Sequence, residues 1–153
     1  AESYDVLTSN GGRRFISPPG TSTTLERLSS APSVGRLAIT GSFAAVRLAP
    51  VAAPALLMAY AENVDAVVRA LDLLPADQGA NVVLLRPFDR VVWDQTVSED
   101  GLSYVAPSQA AVDCLTGTGR MPSEGEALLD WMMENEASWR LGSLDELGTR
   151  GNQ

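Results

Sequence analysis

Short β-like runs and helical periodicities alternate along the chain, with Gly and Pro between them. Tyr4 to Leu7 and Arg14 to Ile16 read as strands, and Asn10-Gly11-Gly12 between them accepts positive φ, so the pattern predicts a β-hairpin that Pro18-Pro19-Gly20 ends. In "TSTTLERLSS" Leu25 and Leu28 share one face, and Thr23 and Glu26 have the spacing of a capping box, which predicts a short helix. Residues 1–33 are therefore expected to be a wing-like hairpin and linker helix attached to a main domain over 34–141, and the polar residues 142–153 to be a frayed tail.

Within the main domain the period switches repeatedly. Leu37 to Thr40 reads as a strand, Ser42 to Leu48 as a helix, Ala55 to Tyr60 as a buried strand, and Glu62 to Leu73 as an amphipathic helix with Val64, Val67, Val68 and Leu71 facing inward. "NVVLLR" and "RVVWDQT" are β-branched runs separated by Pro87-Phe88-Asp89, with a third strand expected at Leu102 to Val105. Pro107 suits the first turn of the helix "PSQAAVDCL", which Gly117 stops, and Ser123 with Glu126 has capping-box spacing before "ALLDWMMENEASW". The fold class that follows is α/β (α+β), a mixed sheet with flanking helices.

Composition narrows the chemistry. The chain of 153 residues is 45% hydrophobic and suits one ordinary core. No apolar run approaches the roughly 20 residues that cross a bilayer, and the opening "AESYDVLTS" has no signal-peptide pattern, so a cytoplasmic protein with no membrane partner is expected. The absence of histidine removes Ser-His and Cys-His catalysis and ordinary zinc sites. All 11 basic residues are arginine, which removes Schiff-base and Walker-type lysines. Cys114, the single cysteine, allows no intrachain disulfide and reads as core. A net charge of −8 makes the chain as a whole a poor ligand for phosphate backbones, so nucleic-acid contact would need a local arginine cluster.

Gly41-Ser42, at a strand-to-helix turn, is the sharpest candidate. Glycine lets a backbone approach a phosphate, and a serine hydroxyl with the N–H groups of a helix start can donate to it. Phosphoryl or nucleotidyl transfer also needs carboxylates for its metal, yet the following strand, "ALLMAY", has none, and Glu62 and Asp65 suit a helix's first turn. The structural alternative makes Ser42 a helix N-cap. Asp89, flanked by Arg86, Arg90 and Asp94, fits a turn through Pro87, with a carboxylate site from Asp89, Asp94 and Asp113 as the alternative. Arg13 and Arg14 at a hairpin tip could enter a DNA groove as a wing does, or be solvated. Trp131, Met132, Met133 and Trp139 are either core or a partner surface.

Several of these phrases together resemble AbiE-type abortive-infection antitoxins. "FISPPGTSTTLERL" is similar to the end of a winged-helix wing running into a linker helix, and "ANVVLLRPFDRVVWD" to the β-hairpin that precedes the segment quoted next. "YVAPSQAAVDCLTGTGRMPSEGEALLDWM" resembles the segment in which a turn begins one helix and a Gly-Arg precedes the next. Pro107, Gln109, Asp113, Leu115, Gly119, Arg120, Glu124 and Leu128 carry that match, and the resemblance covers about Phe15 to Trp131. It implies an N-terminal winged helix that binds DNA and represses its own operon. It also implies a C-terminal domain, nucleotidyltransferase-like but degenerate, that opposes a toxin. The chain begins inside what would be the wing, so a fragment or truncated relative, lacking the recognition helix, is expected.

The resulting expectation is a non-catalytic regulatory or antitoxin protein of a bacterial toxin–antitoxin or antiviral defence system, with no cofactor and no metal. Arg13 and Arg14 would touch DNA; Gln109, Arg120 and Trp131 would contribute to the interface with a cognate toxin. An acidic surface suits a basic partner. Winged-helix regulators often dimerise on palindromic sites, and a homodimer is kept open. Two alternatives remain: a metal-dependent nucleotidyltransferase using Gly41 and Ser42 with acids from Glu62, Asp65 or Asp89, and a ligand-sensing transcription factor with an apolar pocket lined by a few polar groups.

Overall fold

A computed structural model describes residues 4–31, 34–50, 53–87 and 89–136. The chain runs α1 (Val6–Ser9), β1 (Arg13–Ile16), α2 (Thr21–Ser30), β2 (Leu37–Thr40), α3 (Gly41–Leu48), β3 (Leu57–Ala61), α4 (Val64–Leu71), β4 (Leu74–Pro75) and β5 (Val82–Leu85). A 3-10 turn at Arg90–Trp93, β6 (Val97–Glu99), β7 (Leu102–Tyr104), α5 (Pro107–Leu115) and α6 (Met121–Glu134) complete it. The seven strands form one mixed sheet in the order β4-β1-β5-β3-β2-β7-β6. β3 pairs parallel with β5 and β2 parallel with β7, and the other neighbours are antiparallel.

The central strands are buried on both faces, which explains their continuous apolar runs. Alternation then sorts their side chains. Leu57, Ala59 and Ala61 of β3 with Val82 and Leu84 of β5 enter one core layer, together with Phe15, Ile39 and the inner face of α4: Val64, Val67 and Leu71. Met58, Tyr60, Val83 and Leu85 enter the other, with Ala44 and Ala45 of α3, Ala110, Ala111 and Cys114 of α5 and Leu128 of α6. Cys114 is core, as its apolar surroundings predict. The sheet's edges are short and exposed, and Pro75 lies on one of them, where a missing N–H does no harm.

The expected hairpin at the start does not form. The Asp5 carboxylate accepts from the N–H groups of Leu7 and Thr8 at 3.0 and 2.9 Å, so the first run becomes α1, and β1 inserts between β4 and β5. Residues of the 1–33 segment thus share the main sheet instead of standing apart as a wing. "RVVW" is likewise a 3-10 turn, because Asp89 accepts from the Val91 N–H at 3.0 Å. Neither expected capping box forms: α2 starts at Thr21 after Gly20, and Ser123, inside α6, donates to the Arg120 carbonyl. Phe88, Trp139 and the expected tail over 142–153 lie outside the described residues.

Candidate functional site

A carboxylate on the buried face of a helix organises the centre of the molecule. In α5, Ala110, Ala111 and Cys114 face the core, and helical spacing puts Asp113 among them with 0% exposure. An ion there is costly unless its oxygens receive hydrogen bonds. Four arrive. Tyr4 and Gln109 donate to Oδ1 at 2.6 and 3.0 Å, and Thr40 and Tyr60 donate to Oδ2 at 2.6 and 2.7 Å. Thr40 and Tyr60 reach it together because β2 and β3 pair with Ala38 opposite Tyr60 and Thr40 opposite Met58, placing both side chains on the α5 side of the sheet.

A second ring surrounds the first. The Asn10 amide donates to the Tyr4 hydroxyl at 2.8 Å and to the Val6 carbonyl at 2.9 Å, tying α1 to the hub. The two tyrosine hydroxyls lie 3.1 Å apart. Each has one proton, and with both directed at Asp113 the donor pattern is that of an acceptor-only carboxylate. Burial nonetheless dominates and raises the Asp113 carboxyl above its ordinary value, against the lowering effect of its four donors. Burial, reinforced by the bond to Asp113, pushes Tyr4 up to about 12, and burial with the Asp113 charge pushes Tyr60 up as well.

On the outer side of this hub lies a pocket of about 320 Å³ lined by Tyr4, Asn10, Asp89, Val91, Val92, Ser108, Gln109 and Val112. Its polar floor belongs to the hub, and valines form much of its wall.

Gly41 and Ser42 occupy a different setting. Gly41 has φ +68°, and a Cβ there would lie 3.2 Å from Met121 Cε and 3.4 Å from Met58 Cβ, so its glycine accommodates the backbone and α6. Ser42 is 5% exposed and donates to Glu124 Oε1 at 2.5 Å. It therefore does not cap α3, whose preceding residue is Thr40. A carboxylate holds the hydroxyl that a phosphate would need. Glu62 and Asp65, considered as metal-holding acids, pair with Arg36 at 3.6 Å and Arg13 at 3.9 Å, and Asp89 lines the other pocket. Among the described residues no three Asp, Glu or Cys side chains gather in a way that could hold a metal ion. Asp89, Asp94 and Asp113 accordingly do not converge.

The remaining candidates separate. Arg13 and Arg14 are on β1, inside the sheet and not at a hairpin tip; Arg13 also stacks over Phe15 at 5.3 Å. Gln109 faces the Asp113 hub, Arg120 is exposed at the start of α6, and Trp131 is half-buried against the core. Tyr4, Asn10, Thr40 and Tyr60 were not singled out by sequence. The available signal was an acid in a helix with apolar Val112 and Cys114 beside it and Ala110 one turn earlier, since such a charge demands donors from elsewhere.

No protein-family model, no curated protein and no solved structure matches this chain.

Proposed function

We propose that this domain is a non-catalytic binding module, the regulatory or antitoxin half of a bacterial toxin–antitoxin or phage-defence pair. The observation that carries the non-catalytic part is the Ser42–Glu124 bond: the one hydroxyl suited to a triphosphate is committed to an acid that repels it. Binding by the C-terminal helices is supported by what they expose. Leu115 and Val112 of α5 and Leu129 and Met133 of α6 all show substantial apolar surface, Met133 with 76% of its area. Arg120 lies at the start of α6 with no ion pair among the described residues. A basic partner complements the net charge of −8. DNA contact by Arg13 and Arg14 loses the hairpin-tip argument, because β1 is held between two strands.

The test is coexpression of the chain with the product of the adjacent gene in its native locus, measuring rescue of growth and the affinity of the purified pair. Rescue and a complex that Arg120→Glu with Met133→Asp weakens are expected. A neighbour that is neither toxic nor bound would sink the reading.

A further inference from the structure

We propose that the pocket beside the Asp113 hub binds a small organic cation, a primary ammonium group on a short branched apolar stem. Of the residues named for the exposed α5–α6 surface this site shares Val112 alone, and the proposal holds whether or not the domain opposes a toxin.

Charge and hydrogen-bond polarity select the ligand. The lining residues include one acid, Asp89, and no base. A second acid, Asp113, lies directly behind Tyr4 and Gln109, which both line the pocket and donate to it. Three of the lining side chains spend protons inward, the Tyr4 hydroxyl and the Gln109 amide on Asp113 and the Asn10 amide on Tyr4 and Val6, while the Ser108 hydroxyl can both donate and accept. With its nitrogen committed to the hub, Gln109 offers its oxygen to a ligand, and Asp89, which uses Oδ1 on the Val91 N–H, offers its second carboxylate oxygen. A donor-rich cation satisfies these acceptors, whereas an anion meets two carboxylates.

One feature of the pocket opposes this sign. Ser108 and Gln109 are in the first turn of α5, whose start carries about half a unit of positive charge. Pro107 removes one of the N–H groups that would greet an anion, and the Asp89 side chain lines the same pocket. The apolar requirement comes from the walls. Val91, Val92 and Val112 all line the pocket, Val92 being buried and the other two exposed. A volume of about 320 Å³ is at the small end of ligand sites, which suits a compact amine.

Three matched probes test this on the whole chain by amide NMR: 3-methylbutylammonium, 3-methylbutanol and 3-methylbutanoate. The ammonium is expected to give saturable shifts concentrated at Asn10, Val91, Gln109 and Val112, with affinity about tenfold above the alcohol's, the scale of one charged hydrogen bond. Asp89→Asn keeps the cap on the 3-10 turn and should reduce ammonium affinity severalfold without changing the alcohol's. Equal or tighter binding of the carboxylate, no localised shifts with the ammonium, or an Asp89→Asn chain that binds it as the parent does would each overturn the proposal.

Discussion

Two buried carboxylates, Asp113 on α5 and Glu124 on α6, meet neighbouring residues of one strand-to-helix turn, and they do different things there. Asp113 receives Thr40 from the end of β2, along with Tyr4, Tyr60 and Gln109. Glu124, 7% exposed, receives Ser42 two residues later. The first is a hub that joins β2, β3, α5 and the residue run leading into α1 through one side chain. The second is a local latch between α3 and α6, at the edge of a small hollow of about 180 Å³ that Arg120 also lines. The number of donors separates the two: a carboxylate with four cannot be removed without orphaning groups on several elements, whereas one held by a single serine can be exchanged more cheaply.

The largest expected effect comes from breaking the hub. Asp113→Ala leaves Thr40 and Tyr60 as buried donors at about 1–3 kcal/mol each, so a loss of about 3–5 kcal/mol is expected in urea unfolding. A loss under about 1 kcal/mol would remove the hub from the account. The latch should weigh less. Ser42→Ala is expected to cost about 1–2 kcal/mol, and a value matching that of Asp113→Ala would erase the distinction.

pH sharpens the same comparison. Because burial raises Asp113 above its ordinary value of 3.8, the folded chain holds that proton more tightly than the unfolded chain. This group's contribution is therefore greatest below about pH 4, and stability falls as pH rises through the folded-state value. Asp113→Asn should flatten that limb in unfolding midpoints measured across the acidic range, and an unchanged slope would reassign it. The smallest effect belongs to the surface. Met133→Asp should move stability by no more than about 0.5 kcal/mol while weakening the proposed partner complex.

Sequence conveyed much of the framework and little of its polar centre. β2, β3, β5, β7 and the helices α3 to α6 were legible because their periods match the faces they bury, as Val64, Val67 and Leu71 illustrate. The first strand of the expected hairpin and the "RVVW" strand failed for one physical reason. In both places an aspartate, Asp5 or Asp89, caps the next backbone N–H groups and outweighs β propensity in a short segment. Ser42 could be located at its turn, but not its partner Glu124, 82 positions away. The convergence of Tyr4, Thr40, Tyr60 and Gln109 on Asp113 depends on strand register and on where α1 docks, which local pattern does not carry.

On the proposed function, Glu124 occupies the Ser42 hydroxyl and leaves the turn unable to take a triphosphate. Amide NMR titration with ATP, GTP, CTP and UTP, first with Mg²⁺ and then with Mn²⁺, tests it most directly. Resonances of Gly41, Ser42 and Glu124 are expected to stay where they are. Localised, saturable shifts at Gly41 and Ser42, with manganese broadening of nearby carboxylate-bearing residues, would contradict the claim and make the turn a nucleotide site.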